Sequence, residues 1–493
     1  PQPAKSVETV WQHSRCVFFV SALVLAIGSI GCGSTPEPTR PGADPTPDAG
    51  LGADVDGPLL VTDGWVVTMD ADATVIEQGA VAIDGERIVA IGSTVELVDR
   101  YPDARRLSAD GGAILPGLIN THTHVPMTLF RGMADDLPLM RWLQEVIFPA
   151  EAEHVDEAMV RAGTKLACVE MIRGGTTTFV DMYYFEDAIA EETAACGLRA
   201  IVGETLIDFP APDNETWDEA IAYTDAFVAK WKGHPLITPA IAPHAVYTVS
   251  AEHLAETHAL ATQHDVPLLI HLAEHPSEMA NVAELHQQTP IAFLDGLGLL
   301  DDRVLAAHVV LPTDAEIATL AERGTGVAHC PQSNMKLGAG VAPVPAMLAA
   351  GVHVGLGTDG PASNNDLDLW EEIDSAAKLH KLTLLDPTVI DARQALALAT
   401  IEGARALDMD DEIGSLEVGK RADLVIVGLD GAHQQPLYDL ESVLVYATKA
   451  SDVDSVVVNG RILLDHGRHT TVDPQAIFAE AAAWRDRIDA SRQ

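Results

Sequence analysis

The sequence predicts an α/β protein, a (β/α)8 TIM-like barrel with a small β-sandwich formed by the segments before and after the barrel. Between residues 113 and 410, eight apolar strand-like runs alternate with segments of helix length. This alternation is typical of β-α units arranged around a parallel barrel. In 59–112 and 411–470 the pattern changes to short strands with turn signals, and we expect these two segments to pair with each other.

The N-terminal segment predicts an export signal. Residues 16–30, "CVFFVSALVLAIGSI", are almost wholly apolar, a length that suits a signal-peptide core and is short for a membrane span. Residues 1–32 resemble a bacterial lipoprotein signal in which Cys32 is lipidated; an ordinary cleaved signal and an uncleaved anchor are the alternatives. Residues 33–58 are expected to form a flexible tether. This interpretation predicts an exported protein, lipid-anchored to a bacterial membrane and facing the periplasm or the exterior.

The barrel strands are predicted from apolar runs, each followed by a segment long enough for a crossover helix. The eight runs are "AILPGLIN" (113–120), "TTTFVDM" (176–182), "RAIVGETL" (199–206), "ITPAIAPH" (237–244), "PLLIHLAE" (267–274), "VLAAHVV" (304–310), "TGVAHCP" (325–331) and "HVGLGTDG" (353–360).

Turn and cap signals organise the flanking segments. Asp84-Gly85 and Asn459-Gly460 each separate two strand-like runs, as in tight β-hairpins. Residues 471–493 predict a C-terminal helix with Asp473 as its N-cap.

Charge and cysteine content exclude several classes of function. The chain carries 30 Lys+Arg and 73 Asp+Glu, a formal net charge of −43, which repels nucleic acid and anionic membranes. Its five cysteines form no CxxC pair, so neither a thiolate zinc site nor a redox motif is indicated. These exclusions leave a small molecule as the expected partner. A membrane is contacted only through the lipid anchor, and a homo-oligomer is left open.

Metal-binding residue types occur at the carboxyl ends of the predicted strands, where barrel enzymes place their active sites. His122 and His124 follow strand one, His271 lies near the end of strand five and Asp359 near the end of strand eight. Residues two apart on a strand share a face, and imidazole and carboxylate groups are good ligands for a divalent ion. The four residues together predict a metal site.

Three more polar residues occur at strand ends. Glu274 ends strand five, His308 lies near the end of strand six and His244 ends strand four. The position of His308 at the barrel mouth favours a catalytic role over that of a core histidine. For His244 a substrate contact is favoured over a packing role.

The chain resembles the 5'-methylthioadenosine/S-adenosylhomocysteine deaminase family of the metal-dependent amidohydrolase superfamily, whose relatives act on guanine and chlorinated triazines. The resemblance extends over about 58–470. It is carried by "PGLINTHTHVPMTLFRGMADDLPLMRWL", "FPAE" (148–151), "APHAVYTVS", "HLAE" (271–274), "AHVVL", "HCPQSNMKL" and "GTDGPASNNDLDL".

The resemblance implies one divalent metal, usually zinc with iron as the alternative. The implied ligands are His122, His124, His271 and Asp359.

The resemblance also assigns catalytic and binding roles. Glu274 moves protons between the attacking water and the ring nitrogen, His308 orients the hydroxide, and Asp359 accepts its proton. Glu151 and His244 contact the ribose side of the substrate, and Glu274 and Asp359 also bind the substrate.

The implied reaction is hydrolytic deamination of 5'-methylthioadenosine, S-adenosylhomocysteine or adenosine by metal-bound hydroxide, giving the inosine analogue and ammonia. No arginine occurs between Arg199 and Arg303, where some family members place a substrate contact. A homocysteine carboxylate then lacks a partner, which favours neutral nucleosides. Family members are normally cytoplasmic with intracellular substrates, so an exported copy would scavenge external nucleosides or act on another heterocycle.

Alternative functions differ in substrate or in class. The same chemistry would serve guanine deamination or s-triazine dechlorination. Amide hydrolysis is disfavoured, because strand four ends without the lysine that bridges two metals in such relatives. A non-catalytic ligand-binding surface lipoprotein is the alternative from another class.

Overall fold

The computed structural model describes residues 57–492. The predicted signal peptide, Cys32 and nearly all of the tether lie outside the described residues. Within 57–492, no helix combines the length and hydrophobicity needed to span a bilayer.

Five strands precede the barrel: β1 (Leu59–Val67), β2 (Val75–Asp84), β3 (Arg87–Ser93), β4 (Arg105–Ser108) and β5 (Ala113–Pro116). On one edge β1 pairs antiparallel with β2, and on the other it pairs parallel with β4 and β5. The helix Thr94–Arg100 follows β3, and the Ser93 side chain caps it by accepting a hydrogen bond from the Glu96 N–H.

Eight parallel strands follow: β6 (Leu118–Thr123), β7 (Thr176–Tyr183), β8 (Arg199–Leu206), β9 (Ile237–Pro243), β10 (Leu268–Leu272), β11 (Val304–His308), β12 (Gly326–His329) and β13 (Val354–Leu356). Each pairs with the next in chain order. Between β13 and β6 the Asp359 N–H donates to the His122 carbonyl (2.9 Å), and the Thr358 N–H donates to Asn120 Oδ1 (3.0 Å). These bonds connect the first and last barrel strands.

The first predicted strand, 113–120, is two strands in the structure. β5 belongs to the flanking sheet, whereas β6 begins the barrel. Gly117 separates them, and a Cβ at this position would lie 2.0 Å from the Thr177 hydroxyl. The change of sheet was hidden in the sequence because both halves are buried and apolar.

Helices follow the barrel strands along the chain, including three after the last strand. They are Leu139–Trp142, Phe148–His154, Glu157–Gly174, Glu186–Cys196, Trp217–Trp231, Ala251–His264, Pro276–His286, Pro290–Gly296, Asp314–Arg323, Pro331–Leu337, Val344–Ala350, Leu369–Leu384, Ala392–Leu398 and Ile401–Ala406. The β6–β7 connection also contains the 3-10 helix Val125–Phe130 and a π-helical turn, Leu143–Ile147.

After the barrel the chain returns to the flanking sheet through β14 (Leu424–Val427), β15 (Val453–Val458), β16 (Arg461–Asp465) and β17 (Arg468–His469). β14 pairs antiparallel with β5, which joins both flanking segments in one nine-stranded sheet. Asn459 and Gly460, both with positive φ, connect β15 to β16. The helices Leu440–Tyr446 and Pro474–Ser491 complete the described chain, and Asp473 caps the latter. The predicted fold class, a parallel eight-stranded barrel with a separate flanking β-structure, is confirmed.

Apolar side chains fill the barrel interior below its mouth. The cluster comprises Val180, Met182, Ile201, Ala240, Ala242, Leu269, Leu305, Ala307 and Ala328. Because strand residues alternate between faces, the next inward positions after Ala242 and Leu269 are His244 and His271. The interior therefore changes from apolar to polar at the carboxyl ends of the strands.

Candidate metal centre and active site

The structure brings all the predicted site residues within 57–492 to one end of the barrel. His122 lies on β6, His271 on β10 and His308 at the end of β11. The other predicted residues follow strand ends or lie on the helix Phe148–His154; they are His124, His244, Glu274, Asp359 and Glu151. Except for His122, which is buried beneath the others, these residues line one pocket.

Three imidazoles and one carboxylate converge at the pocket floor. His124 Nε2 lies 3.3 Å from Asp359 Oδ1, and His122 Nε2 lies 3.5 Å from the same oxygen. His271 Nε2 lies 3.3 Å from His124 Nε2. The ligand atoms of His122, His124 and His271 all lie within 4.8 Å of one another, and so do those of His122, His308 and Asp359.

This cluster fits a metal ion. The buried Nε2 of His122 has no hydrogen-bond partner in the described chain. Leaving a buried polar atom unsatisfied costs free energy of folding, so this nitrogen calls for a ligand. Two imidazole nitrogens that face each other need either a proton or a cation between them. A divalent ion among these nitrogens and the Asp359 carboxylate would satisfy all of them.

Backbone carbonyls fix the orientation of two imidazoles. His124 Nδ1 lies 2.6 Å from the Met182 carbonyl, and His271 Nδ1 lies 2.9 Å from the His244 carbonyl. Because a carbonyl can only accept, each Nδ1 carries the proton and each Nε2 presents its lone pair to the centre. The rings are thereby held in the tautomer that a metal requires.

A buried carboxylate holds the end of β6. Asp181 accepts hydrogen bonds from the Thr123 hydroxyl (2.7 Å) and the Val125 N–H (2.6 Å). Thr123 lies between the two histidines of the HxH motif. Asp181 therefore fixes the backbone that carries both rings.

Asp359 is held by several donors. The Ser333 and Ser363 hydroxyls donate to Oδ2 (2.6 and 2.9 Å), and the Gly360 N–H donates to Oδ1 (2.7 Å). Burial raises the pKa of Asp359, but the adjacent imidazoles of His122 and His124 outweigh burial and hold this pKa well below its usual range. The carboxylate is therefore ionised and available as a ligand.

Glu274 and His308 face each other above this cluster. Glu274 Oε1 lies 4.0 Å from His308 Nε2, and His308 Nδ1 lies 3.1 Å from Asn334 Oδ1. Burial raises the pKa of Glu274; the neighbouring His308 opposes this rise, and the negative charge of Asp359 adds to it. A glutamate in this position keeps its proton to higher pH than an exposed one, as a general acid requires.

The remaining pocket wall is largely apolar and aromatic. The pocket encloses about 650 Å³, including space open to solvent, and its apolar wall comprises Met127, Leu139, Trp142, Leu143, Ile147, Phe148, Met182 and Leu337. On another side the Tyr183 hydroxyl donates to Glu151 Oε1 (2.9 Å), and His244 Nδ1 lies 2.9 Å from the Thr248 hydroxyl. Burial raises the pKa of Glu151 to about 7, although the Tyr183 hydrogen bond opposes the rise.

Sequence reasoning missed the residues that hold the site residues in place. Ser333 and Asn334 occur in "HCPQSN", a motif of the family resemblance that indicates no role for either residue, and Ser363 occurs in "GPASNN". Tyr183 and Asp181 lie on β7, where the sequence showed only a buried strand. Their one sequence signal was polarity at the carboxyl end of an apolar run.

An eight-stranded parallel barrel with imidazoles and a carboxylate at its carboxyl end defines the class of metal-dependent barrel hydrolases. Residues 113–463 match the Amidohydrolase family, and 79–104 match the imidazolonepropionase-like composite domain of bacteria. The chain therefore belongs to the amidohydrolase family, and the prediction of an enzyme of this family is confirmed.

Similar proteins include deaminases and a chlorohydrolase. The 5-methylthioadenosine/S-adenosylhomocysteine deaminase of Syntrophobacter fumaroxidans is 48% identical over 420 residues, which cover 85% of this chain and 96% of the relative. A crystal structure of an adenosine deaminase from Xanthomonas campestris with bound zinc has a TM-score of 0.86 at 44% identity, covering 88% of this chain and 98% of that one. The atrazine chlorohydrolase of Arthrobacter aurescens TC1 complexed with zinc has a TM-score of 0.81 at 27% identity, covering 87% and 100%.

The prediction of an exported, lipid-anchored protein is wrong. The match with the methylthioadenosine/S-adenosylhomocysteine deaminases covers 85–87% of this chain, and an exported lipoprotein conflicts with a family whose members normally act on intracellular substrates in the cytoplasm.

Proposed function

We propose that the protein hydrolyses the exocyclic amine of neutral adenine nucleosides, such as 5'-methylthioadenosine or adenosine. Water adds at the ring carbon that bears the amine, and the C–N bond breaks to give the inosine analogue and ammonia. One observation carries the proposal: an acid of raised pKa, Glu274, faces His308 directly above a cluster of three imidazoles and a carboxylate.

His122, His124, His271 and Asp359 would hold one divalent cation, for which zinc is the best fit and iron the alternative. When bound, such an ion lowers the pKa of a water from 15.7 to about 7 and so supplies a nucleophile near neutral pH.

The side chains around the reacting atoms divide the proton transfers. Glu274 donates a proton to the ring nitrogen beside the amine, which makes the adjacent carbon electrophilic. His308, fixed by Asn334, orients the attacking water through its free Nε2. Asp359, which is ionised, accepts a proton from that water and passes it to the amine. The C–N bond then breaks to release ammonia, and the added hydroxyl returns a proton to Glu274 as it becomes the carbonyl of the product.

Glu151, Tyr183 and His244 are proposed to bind the sugar. Tyr183 donates to one oxygen of Glu151, which leaves the other free to accept from a ribose hydroxyl. Glu151 is 5% exposed. Because buried polar atoms normally have hydrogen-bond partners, this free carboxyl oxygen favours a ligand with a hydroxyl group.

The pocket favours a neutral substituent on the sugar. Its twenty lining residues within 57–492 include Glu151, Glu274 and Asp359 but no Lys or Arg. The basic residues next in sequence to the lining segments are committed to ion pairs: Arg131 to Glu170, Arg141 to Glu145 and Lys336 to Asp135. An apolar methylthio group suits the aromatic wall better than an amino-acid tail with an unpaired carboxylate.

The second candidate is the same chemistry on another heterocycle, guanine or a chlorinated triazine. It is favoured by the similarity to the chlorohydrolase, at 27% identity, and to the guanine deaminase of E. coli, at 25%, against 48% for the nucleoside deaminase. The Glu151–Tyr183 pair would have no sugar to bind in that case.

A substrate panel tests the proposal. The full chain is purified with zinc and assayed for ammonia release from 5'-methylthioadenosine, adenosine, S-adenosylhomocysteine and guanine, and for chloride release from a chlorotriazine. We expect kcat/KM for 5'-methylthioadenosine to exceed that for S-adenosylhomocysteine by about tenfold or more, because about 1.4 kcal/mol of lost pairing suffices. Activity on guanine or the triazine alone would establish the second candidate, and no product from any substrate would refute both.

A further inference from the structure

The turn after β10 is strained and places Glu274. Ala273 has a φ of 52°, in the left-handed region that side chains with a Cβ avoid. Its carbonyl accepts from the N–H groups of Val310 (3.0 Å) and Leu311 (3.1 Å). Strand alternation would direct Glu274 away from the barrel interior, since His271 points inward three residues before it. The turn at Ala273 instead directs Glu274 into the pocket.

One carboxylate holds this turn from the other side. Glu278 Oε1 accepts from the Ala273 N–H (3.0 Å), and Oε2 accepts from the Glu274 N–H (2.8 Å). Glu278 is the third residue of the helix Pro276–His286 and is 4% exposed. Within 57–492 it forms no ion pair with a basic residue, and these backbone N–H groups are the partners of its two carboxyl oxygens.

We propose that Glu278 is a positioning residue that aims Glu274 at the substrate ring. Its two bonds hold the peptide units on both sides of Ala273 and so fix the direction in which the Glu274 side chain leaves the backbone. The inference rests on the proposed function, in which Glu274 is the proton donor.

The variant Glu278→Gln tests this role with little change of shape. One end of the amide is a donor and would face a backbone N–H, so one of the two bonds is lost. A displacement of about 1 Å costs up to about 100-fold in rate, and we expect kcat to fall about 10- to 100-fold with KM within about twofold. Glu284→Gln, an exposed glutamate on the same helix, is the matched control and should match wild type.

A second variant guards against misfolding. Glu278→Asp retains a carboxyl group near the start of the helix but is one methylene shorter, so it reaches only one of the two N–H groups. Like Glu278→Gln, this variant should show a lower kcat at a nearly constant KM. A folded variant with wild-type kcat would overturn the inference.

Combining Glu278→Gln with Glu274→Gln separates positioning from general stabilisation. If Glu278 acts through Glu274, the substitution at 278 should cost less than about twofold once Glu274 is replaced, because the two losses are then not additive. An equal loss in both backgrounds would show that Glu278 only supports the fold.

Amide hydrogen exchange tests the turn without relying on activity. Glu278→Gln should speed exchange at the Ala273 and Glu274 amides, whereas Glu284→Gln should leave both unchanged. If wild type releases no ammonia from any substrate, the proposed function fails, and exchange alone decides whether Glu278 holds the turn. Unchanged exchange in Glu278→Gln would overturn the inference even in an active enzyme.

Discussion

Replacing Glu274 with glutamine should abolish turnover while leaving the metal site intact. Glu274 is absent from both groups of metal-binding atoms in the described chain, so metal content should equal that of wild type. A general acid contributes about 10²- to 10⁴-fold in rate. The other pocket carboxylates are committed, Asp359 to imidazoles and Glu151 to Tyr183, so neither can substitute. We therefore expect kcat to fall about 10³-fold or more, which is about 4 kcal/mol of lost transition-state stabilisation.

The pH dependence gives this prediction a second readout. Burial raises the pKa of Glu274, and the active form is the protonated one. Activity that depends on this acid is therefore present at low pH and lost as pH rises through the raised pKa, so Glu274→Gln should also remove that alkaline decline from any residual rate.

The assay measures ammonia release from the best nucleoside across pH, with metal analysis of each sample and Glu284→Gln as the control. A metal-loaded Glu274→Gln variant with a rate within about threefold of wild type would refute the proton-donor role.

Two further predictions concern metal and stability. A chelator should abolish ammonia release and lower the melting temperature, because an ion at 100 times its Kd contributes about 2.7 kcal/mol to folding. Added zinc should restore both the activity and the melting temperature. An unchanged melting temperature would count against a metal at this site. Asp423→Asn should destabilise the fold by about 3 kcal/mol, because it leaves the buried guanidinium of Arg199 without its charged partner at 2.8 Å. Arg199 begins β8, at the barrel end opposite the pocket, so kcat should stay at the wild-type value. Denaturant unfolding measures the loss of stability in Asp423→Asn, and steady-state assays measure its kcat. A large fall in kcat would contradict the prediction.

The barrel was predictable because its signals are local. Each apolar run and each polar residue at its end can be recognised from a few neighbouring positions, as with "RAIVGETL", whose predicted bounds equal those of β8. The division of 113–120 between two sheets was not predictable in this way. It depends on the contact between Gly117 and Thr177, two residues that are far apart in sequence.

The residues that orient the site were missed for a similar reason. Ser333 and Asn334 each bond a partner 26 residues away, Asp359 and His308 respectively. Such partners are set by where the loops after β11, β12 and β13 meet, and no spacing rule encodes this meeting. A serine and an asparagine in a loop are equally compatible with solvent exposure.

The proposed proton donor and the residue that orients the water both depart from strand alternation. On β11, Leu305 and Ala307 point into the barrel, so His308 should point outward; its φ of 75° reverses the direction. Ala273, at 52°, does the same for Glu274. Each left-handed residue with a Cβ costs about 1–2 kcal/mol, and glycine would avoid the cost. At His308, however, glycine would supply no imidazole, and at Ala273 it would let the turn relax. The strain is therefore consistent with a site in which the direction of two side chains outweighs local backbone preference.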